Sequence, residues 1–329
     1  METKKRYLPF VIAVIVIIGI IFIISYLNKP NGNLINDTEF DNILGDNEAA
    51  PQSKLLFWEK EQGIRVPGIS SSTIFKDNQY FMYYTWDGIE LATSSDGLNF
   101  ANRQSVVKNG AIGSEQEMVT NPAVFKLLDG RYRMIYEGSK WAKDEKGGQY
   151  QTDRKLYSAI SSNGKNWEKE EGMRFWDYGD GKSNEIFTSV PDVIRLADNR
   201  LRMYYTRGAT SATALSGDEG LTWAKETDLK LRKVAIDMDI IRLDDGTYKL
   251  FFTTFADEFG FGEQWMMSAS STDGVNFVID EGKIIEPSTS EGLVTDPDVI
   301  KIDNGYRMYY GEFKKGSYES NIMSAFSFG

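Results

Sequence analysis

Asp237 in IDMDIIRL and Asp296 in TDPDVIKI stand where a polar turn gives way to an apolar run, and Glu117 precedes a similar run in SEQEMVTNP. A second acid follows two residues later at Asp239 and Asp298, and Asp192 opens DVIRL in the same way. Residues two apart on a strand share a face, so each pair of acids looks in one direction. Carboxylates held close together raise one another's pKa and are electrostatically costly unless something uses them. The plainer reading of the same residues is that Asp caps the turn leading into a strand. The 329 residues include no His and no Cys. That excludes Ser-His-Asp and Cys-His nucleophilic catalysis, His-ligated zinc and an imidazole proton shuttle. Acid and base chemistry by carboxylates remains, with Tyr, Lys or an oxygen-liganded cation as accessories. Ca²⁺ suits crowded Asp side chains, although no EF-hand spacing is present, and no other cofactor is expected.

These acids must be positioned by strands. Five phrases repeat along the chain: ISSSTIFKDNQYFMYYT (69–85), TNPAVFKLLDGRYRMIYEG (120–138), VPDVIRLADNRLRMYYT (190–206), IDMDIIRLDDGTYKLFFT (236–253) and TDPDVIKIDNGYRMYYGEF (295–313). Each is a β-branched run, a tight polar turn and an aromatic-rich run, the signature of an antiparallel hairpin. The first four are followed by a second strand, a turn of the SSDG or SSNG kind, and a strand opening on Trp or Phe. Four strands per unit, recurring every 47 to 69 residues, predict an all-β, five-bladed propeller. The fifth unit lacks its last strand, and LLFWEKEQGIRV (55–66) resembles the fourth strands NWEKEEGMRFW and TWAKETDLKLR. The N-terminal strand is therefore expected to complete the last blade and close the ring, which also removes an exposed sheet edge.

In a propeller the first strand of each blade lines the channel, so the residues that open the five phrases converge on one funnel. Aligned with Asp296 are Ser70, Asn121, Val190 and Asp237; aligned with Asp298 are Ser72, Ala123, Asp192 and Asp239. The loops leaving the second strands open on the same face, carrying Trp86 and Asp87, Glu137 and Trp141, Arg207, Phe255, and Glu312 and Phe313. Aromatic planes with polar groups at the rim suit a sugar, although aromatics also pack between blades.

The (D/N)-P-x-V openings, the Y-R-M-Y-Y second strands and the S-x-D-G-x-x-(W/F) turns resemble those of the five-bladed propeller glycosidases of glycoside hydrolase family 43 and the invertase-like families beside it. The resemblance covers residues 55 to 329. It implies action on a glycosidic bond by an Asp base or nucleophile, a Glu acid and an orienting Asp on inner strands, chemistry that needs no His. Asp237 and Asp296 then become base and orienting carboxylate and Glu117 the acid, with Glu185 and Glu291 as substitutes. Substrate contacts are expected from Arg65, Asp192, Trp86, Trp141, Arg207 and Glu312. The pattern is broken in blades 1 and 2, where Ser70 or Ser72 and Asn121 or Ala123 stand at the clan's Asp positions. This leaves open a propeller that binds a glycan or protein without turnover. A third reading is sialidase-like, from the Asp-box match SGDEGLTW (216–223) and Arg65 in IRVPG, but sialidases have six blades.

The apolar run Leu8 to Leu27 is long enough to span a bilayer as one helix. Lys4, Lys5 and Arg6 precede it, which places the head in the cytoplasm and the remainder outside, in preference to a cleaved signal peptide. Residues 1–30 form this head and anchor, 31–53 a polar flexible linker, and 54–329 the propeller. The first thirty residues carry +3 against a whole-chain −11, so the rest carries −14 and should repel nucleic acid.

Overall fold

The structure, a computed structural model, describes residues 56–143, 149–177, 187–208, 210–256, 263–315, 317 and 319–328. The expected membrane span, the linker and Glu185 lie outside them. Twenty strands follow in order: β1 (Glu59–Pro67); β2 (Ile69–Lys76), β3 (Gln79–Trp86), β4 (Gly88–Ser94) and β5 (Ala101–Val107); β6 (Met118–Lys126), β7 (Tyr132–Lys143), β8 (Gln149–Ser161) and β9 (Glu168–Lys169); β10 (Thr188–Arg195), β11 (Leu201–Arg207), β12 (Thr210–Ser216) and β13 (Ala224–Asp228); β14 (Ile236–Arg242), β15 (Tyr248–Phe255), β16 (Gln264–Ser271) and β17 (Val278–Ile279); β18 (Gly292–Ile302), β19 (Gly305–Lys314) and β20 (Ser320–Phe328). Among the described residues they make five four-stranded antiparallel sheets. The inner strands β2, β6, β10, β14 and β18 touch one another in sequence around the ring. The expected closure is present, since β1 pairs with β20 and is the outer strand of the fifth sheet.

The repeated phrases explain the packing. Their second strands carry the largest buried side chains, among them Tyr83, Tyr84, Tyr136, Tyr204, Tyr205, Phe251, Phe252, Tyr309 and Tyr310. These divide into five apolar clusters, one at each junction between blades. Tyrosine brings a large apolar ring and a hydroxyl that must be satisfied. Tyr83, Tyr204 and Tyr309 donate to the backbone carbonyls of Gly164, Gly274 and Gly97 in the neighbouring blade, at 2.7, 2.6 and 2.9 Å. Those carbonyls belong to the S-x-(D/N)-G turns. Gly274 has φ 77°, and a Cβ there would sit 2.6 Å from Nη1 of Arg202, so glycine is required.

The Arg of Y-R-M-Y-Y and the acid of W-E-K-E prove to be partners. Arg133 pairs with Glu170, Arg202 with Glu226 and Arg307 with Glu61, each at 2.8 to 2.9 Å and each with the Arg buried. The last of these joins β19 to β1, so an ion pair written into the repeat closes the ring. The Asp-box of residues 216–223 is the same kind of turn, with Gly220 N–H donating to Ser216 Oγ and Thr222 N–H to Asp218 Oδ1.

The five inner strands share one irregularity. Each has a register shift where its phrase opens. At that bulge Ser70, Asn121, Val190, Asp237 and Asp296 take left-handed backbones, with φ of 52°, 54°, 43°, 50° and 52°. Two residues on, the second set of aligned residues ties each blade to the next. Ser72 Oγ accepts from Val124 N–H at 3.0 Å, Asp192 from Ile240 at 2.9 Å, Asp239 from Val299 at 3.2 Å, and Asp298 from Thr73 at 3.1 Å. Ala123 has no polar side chain for this role. Burial, and in two of the three a facing Asp, raise the pKa of Asp192 to about 6, of Asp239 well above the usual value, and of Asp298 upward.

Two outcomes follow for stability. Replacing Glu61 by Ala strands the buried Arg307, and urea unfolding should show a loss of about 3 kcal/mol. Asp192, Asp239 and Asp298 have folded pKa values above their unfolded ones, so the stability they contribute is complete below about pH 4 and is lost as pH rises through the folded values, about 6 for Asp192. Asp239→Asn keeps an acceptor for Val299 and removes the charge. It should raise the unfolding midpoint at pH 7.5 and leave it unchanged near pH 4; equal effects at both pH values would contradict the assignment.

Candidate active site

The left-handed bulges turn the first set of aligned residues toward the mouth of the channel, where they meet. Ser70 Oγ donates to Asp296 Oδ2 at 2.9 Å, linking blade 1 to blade 5. Thr295 Oγ1 donates to Asp237 Oδ2 at 2.6 Å, linking blade 5 to blade 4. Asn121 Nδ2 donates to Glu137 Oε2 at 3.0 Å, and Ser189 Oγ in blade 3 donates to the same oxygen. The backbone is fixed as well: Asn121 N–H donates to Thr85 Oγ1 at 2.9 Å and Asp237 N–H to Thr206 Oγ1 at 3.1 Å. All five blades contribute.

Glu137 is fully buried and is gripped by Arg154, whose Nε and Nη2 lie 2.7 and 2.9 Å from its two carboxylate oxygens. A buried acid is tolerated when it is paired and its lone pairs are occupied. Arg154 also donates through Nη2 to Ser189 Oγ, and its guanidinium lies 4.1 Å from the centre of the Phe187 ring. Among the described residues, Asp237 and Asp296 receive no such countercharge at contact distance. Burial raises the pKa of Asp237, opposed by the Thr295 hydrogen bond and by Arg154 and assisted by Glu137. Burial first, and then the neighbouring charge of Asp237, raise that of Asp296 well above the carboxylate range. The funnel therefore presents one carboxylate clamped by a cation beside two carboxyls that favour the protonated form. A site of this kind can give a proton to a leaving oxygen and hold a facing anion without His.

The remaining expected residues have other surroundings. Glu117, the expected acid, accepts from Gly113 N–H at 3.0 Å and is approached by Trp141 N–H at 3.5 Å, so its carboxylate orders the loop before β6. Arg65 is buried, and its terminal nitrogens donate to the carbonyls of Leu98, Gln62 and Gly63, which corrects the expectation of a free carboxylate grip. With Arg65 so engaged and the Asp-box serving as a structural turn, the sialidase-like reading loses both its supports, and the five sheets among the described residues stand against it. Asp192 and its equivalents tie blades together below the mouth. At the rim, Arg207 pairs with Asp177 at 3.0 Å, Glu312 accepts from Ser288 Oγ at 3.0 Å, and Trp86 lies 5.4 Å from the Arg103 guanidinium. Trp141 is half-buried on the extended β7–β8 hairpin, and Glu291 is exposed and paired with Lys314. Among the described residues no group of three or more Asp, Glu, His or Cys is arranged to hold a metal ion.

The sequence placed Glu137 only among the groups on the loops leaving the second strands, with no central role, and did not point to Arg154. A signal existed for the first: Glu137 stands within the second strand of blade 2 at the position where the other blades have Thr85, Thr206, Thr253 and Gly311. Arg154 gave none. It sits in β8 at a register shift between Gly138 and Lys140, and this bulge aims it inward.

No protein-family model and no curated protein matches the chain. Solved structures do. An α-L-arabinanase of Cellvibrio cellulosa, solved with arabinohexaose, superposes with a TM-score of 0.59 at 12% identity, over 79% of this chain and 91% of that one. A structure from the family 130 mannoside phosphorylases, a family described as containing hydrolases of β-1,2-mannosidic linkages, gives 0.61 at 16% identity over 84% and 95%. A family 43 protein of Bacillus licheniformis gives 0.60 at 13% over 81% of this chain and 54% of that one. The chain thus shares the propeller fold of these structures.

Proposed function

We propose that this protein is a carbohydrate-active hydrolase, held at the outer face of a membrane by its N-terminal span, that cleaves a glycosidic bond in the propeller funnel. The reading is carried by the meeting of Asp237, Asp296 and the Arg154-bound Glu137 at one mouth, built by residues from all five blades. Asp296 is the proton donor, since burial and Asp237 keep its carboxyl protonated. Glu137 is the facing anion, fixed by Arg154, Asn121 and Ser189. Asp237 sets the proton affinity of Asp296 and orients the sugar, while Ser70 occupies the opening position of blade 1 as a hydrogen-bond donor to Asp296. The structural relatives named above act on glycans, which supports carbohydrate as the ligand class. Their different linkages leave the choice of sugar to the loops.

The test is a screen of the full-length chain in detergent against 4-nitrophenyl glycosides and plant and fungal oligosaccharides. Asp296→Asn and Asp237→Asn should each lower turnover by about 10²- to 10⁴-fold with no fall in the unfolding midpoint. Glu117→Gln should leave turnover within a few-fold. Turnover unaffected by the two Asn substitutions would refute the assignment, and binding of a glycan without turnover would make the protein a lectin-like module. On the alkaline side the rate should fall as Asp296 loses its proton, and that limb should move to lower pH in Asp237→Asn, where the charge opposing ionisation is gone.

A further inference from the structure

Of the five left-handed bulge residues, four are of types that accept this backbone or bond across the funnel: Ser70, Asn121, Asp237 and Asp296. The fifth is Val190, at φ 43°. A β-branched residue is an outlier there, because its side chain crowds the backbone carbonyls. The fold does not ask for valine, since the same bulge forms in the other blades with small polar residues. Packing does not ask for it either: Val190 is half-buried and belongs to none of the five apolar clusters. Its position is specific, however. Ser189 immediately before it bonds Glu137 and Arg154, and Phe187 lies beneath the Arg154 guanidinium. Blade 3 therefore brings apolar surface to the one sector of the mouth where its neighbours bring amide, hydroxyl and carboxyl groups. Strain that the surrounding structure holds in place at such a point is informative about function.

We propose that Val190 is a specificity-determining residue of the funnel, an apolar wall that selects a sugar presenting C–H instead of O–H toward blade 3. The inference rests on the carbohydrate reading of the site. A hydroxyl directed at the valine methyls would lose its water and gain no partner, whereas a C–H face would pack against them. The strained backbone is retained because the residues that would relieve it, Asn, Asp or Gly, would also make this wall polar or remove it.

The test uses the full-length chain in detergent with three variants, and as probes pairs of 4-nitrophenyl glycosides that differ by one hydroxyl on the sugar ring. Val190→Asn and Val190→Gly should raise the unfolding midpoint by about 2 °C, as the left-handed strain is relieved. Both should raise KM for the preferred probe about tenfold, with a smaller change in kcat. Val190→Thr keeps the shape and the strain, so its midpoint should not rise. It should shift the preference within a probe pair about tenfold toward the hydroxylated member. Unchanged KM and unchanged preference in all three variants, in a protein whose turnover Asp296→Asn abolishes, would overturn this inference and leave the hydrolase reading intact. A midpoint that fails to rise with Asn or Gly would remove the strain on which the inference stands. A wild-type protein that neither binds nor cleaves any probe would overturn both.

Discussion

The structure depends on a bulge made five times. At the start of every inner strand one residue turns into the left-handed region, and the strand resumes two residues later with its register shifted. Without that turn the two acids of a D-x-D phrase would share a face, as the alternation of an ordinary strand requires. With it, they part. The first is aimed at the mouth, and the second reaches sideways to a backbone N–H of the next blade. One local irregularity thus separates a layer of side chains gathered at the mouth from a layer that holds the ring together.

The separation explains how so much negative charge is accommodated in a narrow channel. The lower carboxyls accept backbone hydrogen bonds across the blade junctions, and their raised pKa values describe groups that serve as acceptors while partly protonated. The upper layer is handled differently, with Arg154 neutralising Glu137 and leaving Asp237 and Asp296 to contend with each other. Charge is well compensated elsewhere in the molecule. The turns on the opposite face hold Asp273 down to about 2 against the pull of burial, because Asn276 and Val275 donate to it, and Asp96 is lowered in the same way. Raised acids in the channel and lowered acids at the turns are two outcomes of one rule, the supply of donors to the charged form.

Much of this was legible in the residues. The five phrases, their pairing, the missing fifth strand and its replacement by β1 are local patterns, and the fold follows them closely. Asp237 and Asp296 could be found because a shared alignment implies a shared place on the ring. The bulge could not, since Ser, Asn, Val and Asp have no common signature apart from standing at one position, and so Asp192 was grouped with the site when it belongs to the layer beneath. The surroundings of Glu117 are illegible for the same reason: proximity in sequence to the start of an inner strand does not determine where a side chain on the preceding loop will turn. Arg154 depends on a second bulge, in the third strand of blade 2, and its partner Glu137 on depth within the same blade; neither is encoded by periodicity. Arg65 sits in a motif-like phrase, yet three carbonyls at the ring closure take its donors.

The central claim is that the geometry of the inner strands forces Asp237 and Asp296 to share one desolvated mouth. A ¹³C NMR titration of the aspartate carboxyls, assigned through the two Asn substitutions, measures it directly. The account predicts that Asp296 stays protonated well above 3.8, the ordinary value for this group, and that its midpoint falls when Asp237 is replaced. Two independent midpoints near 3.8, each unmoved by loss of the other residue, would contradict it.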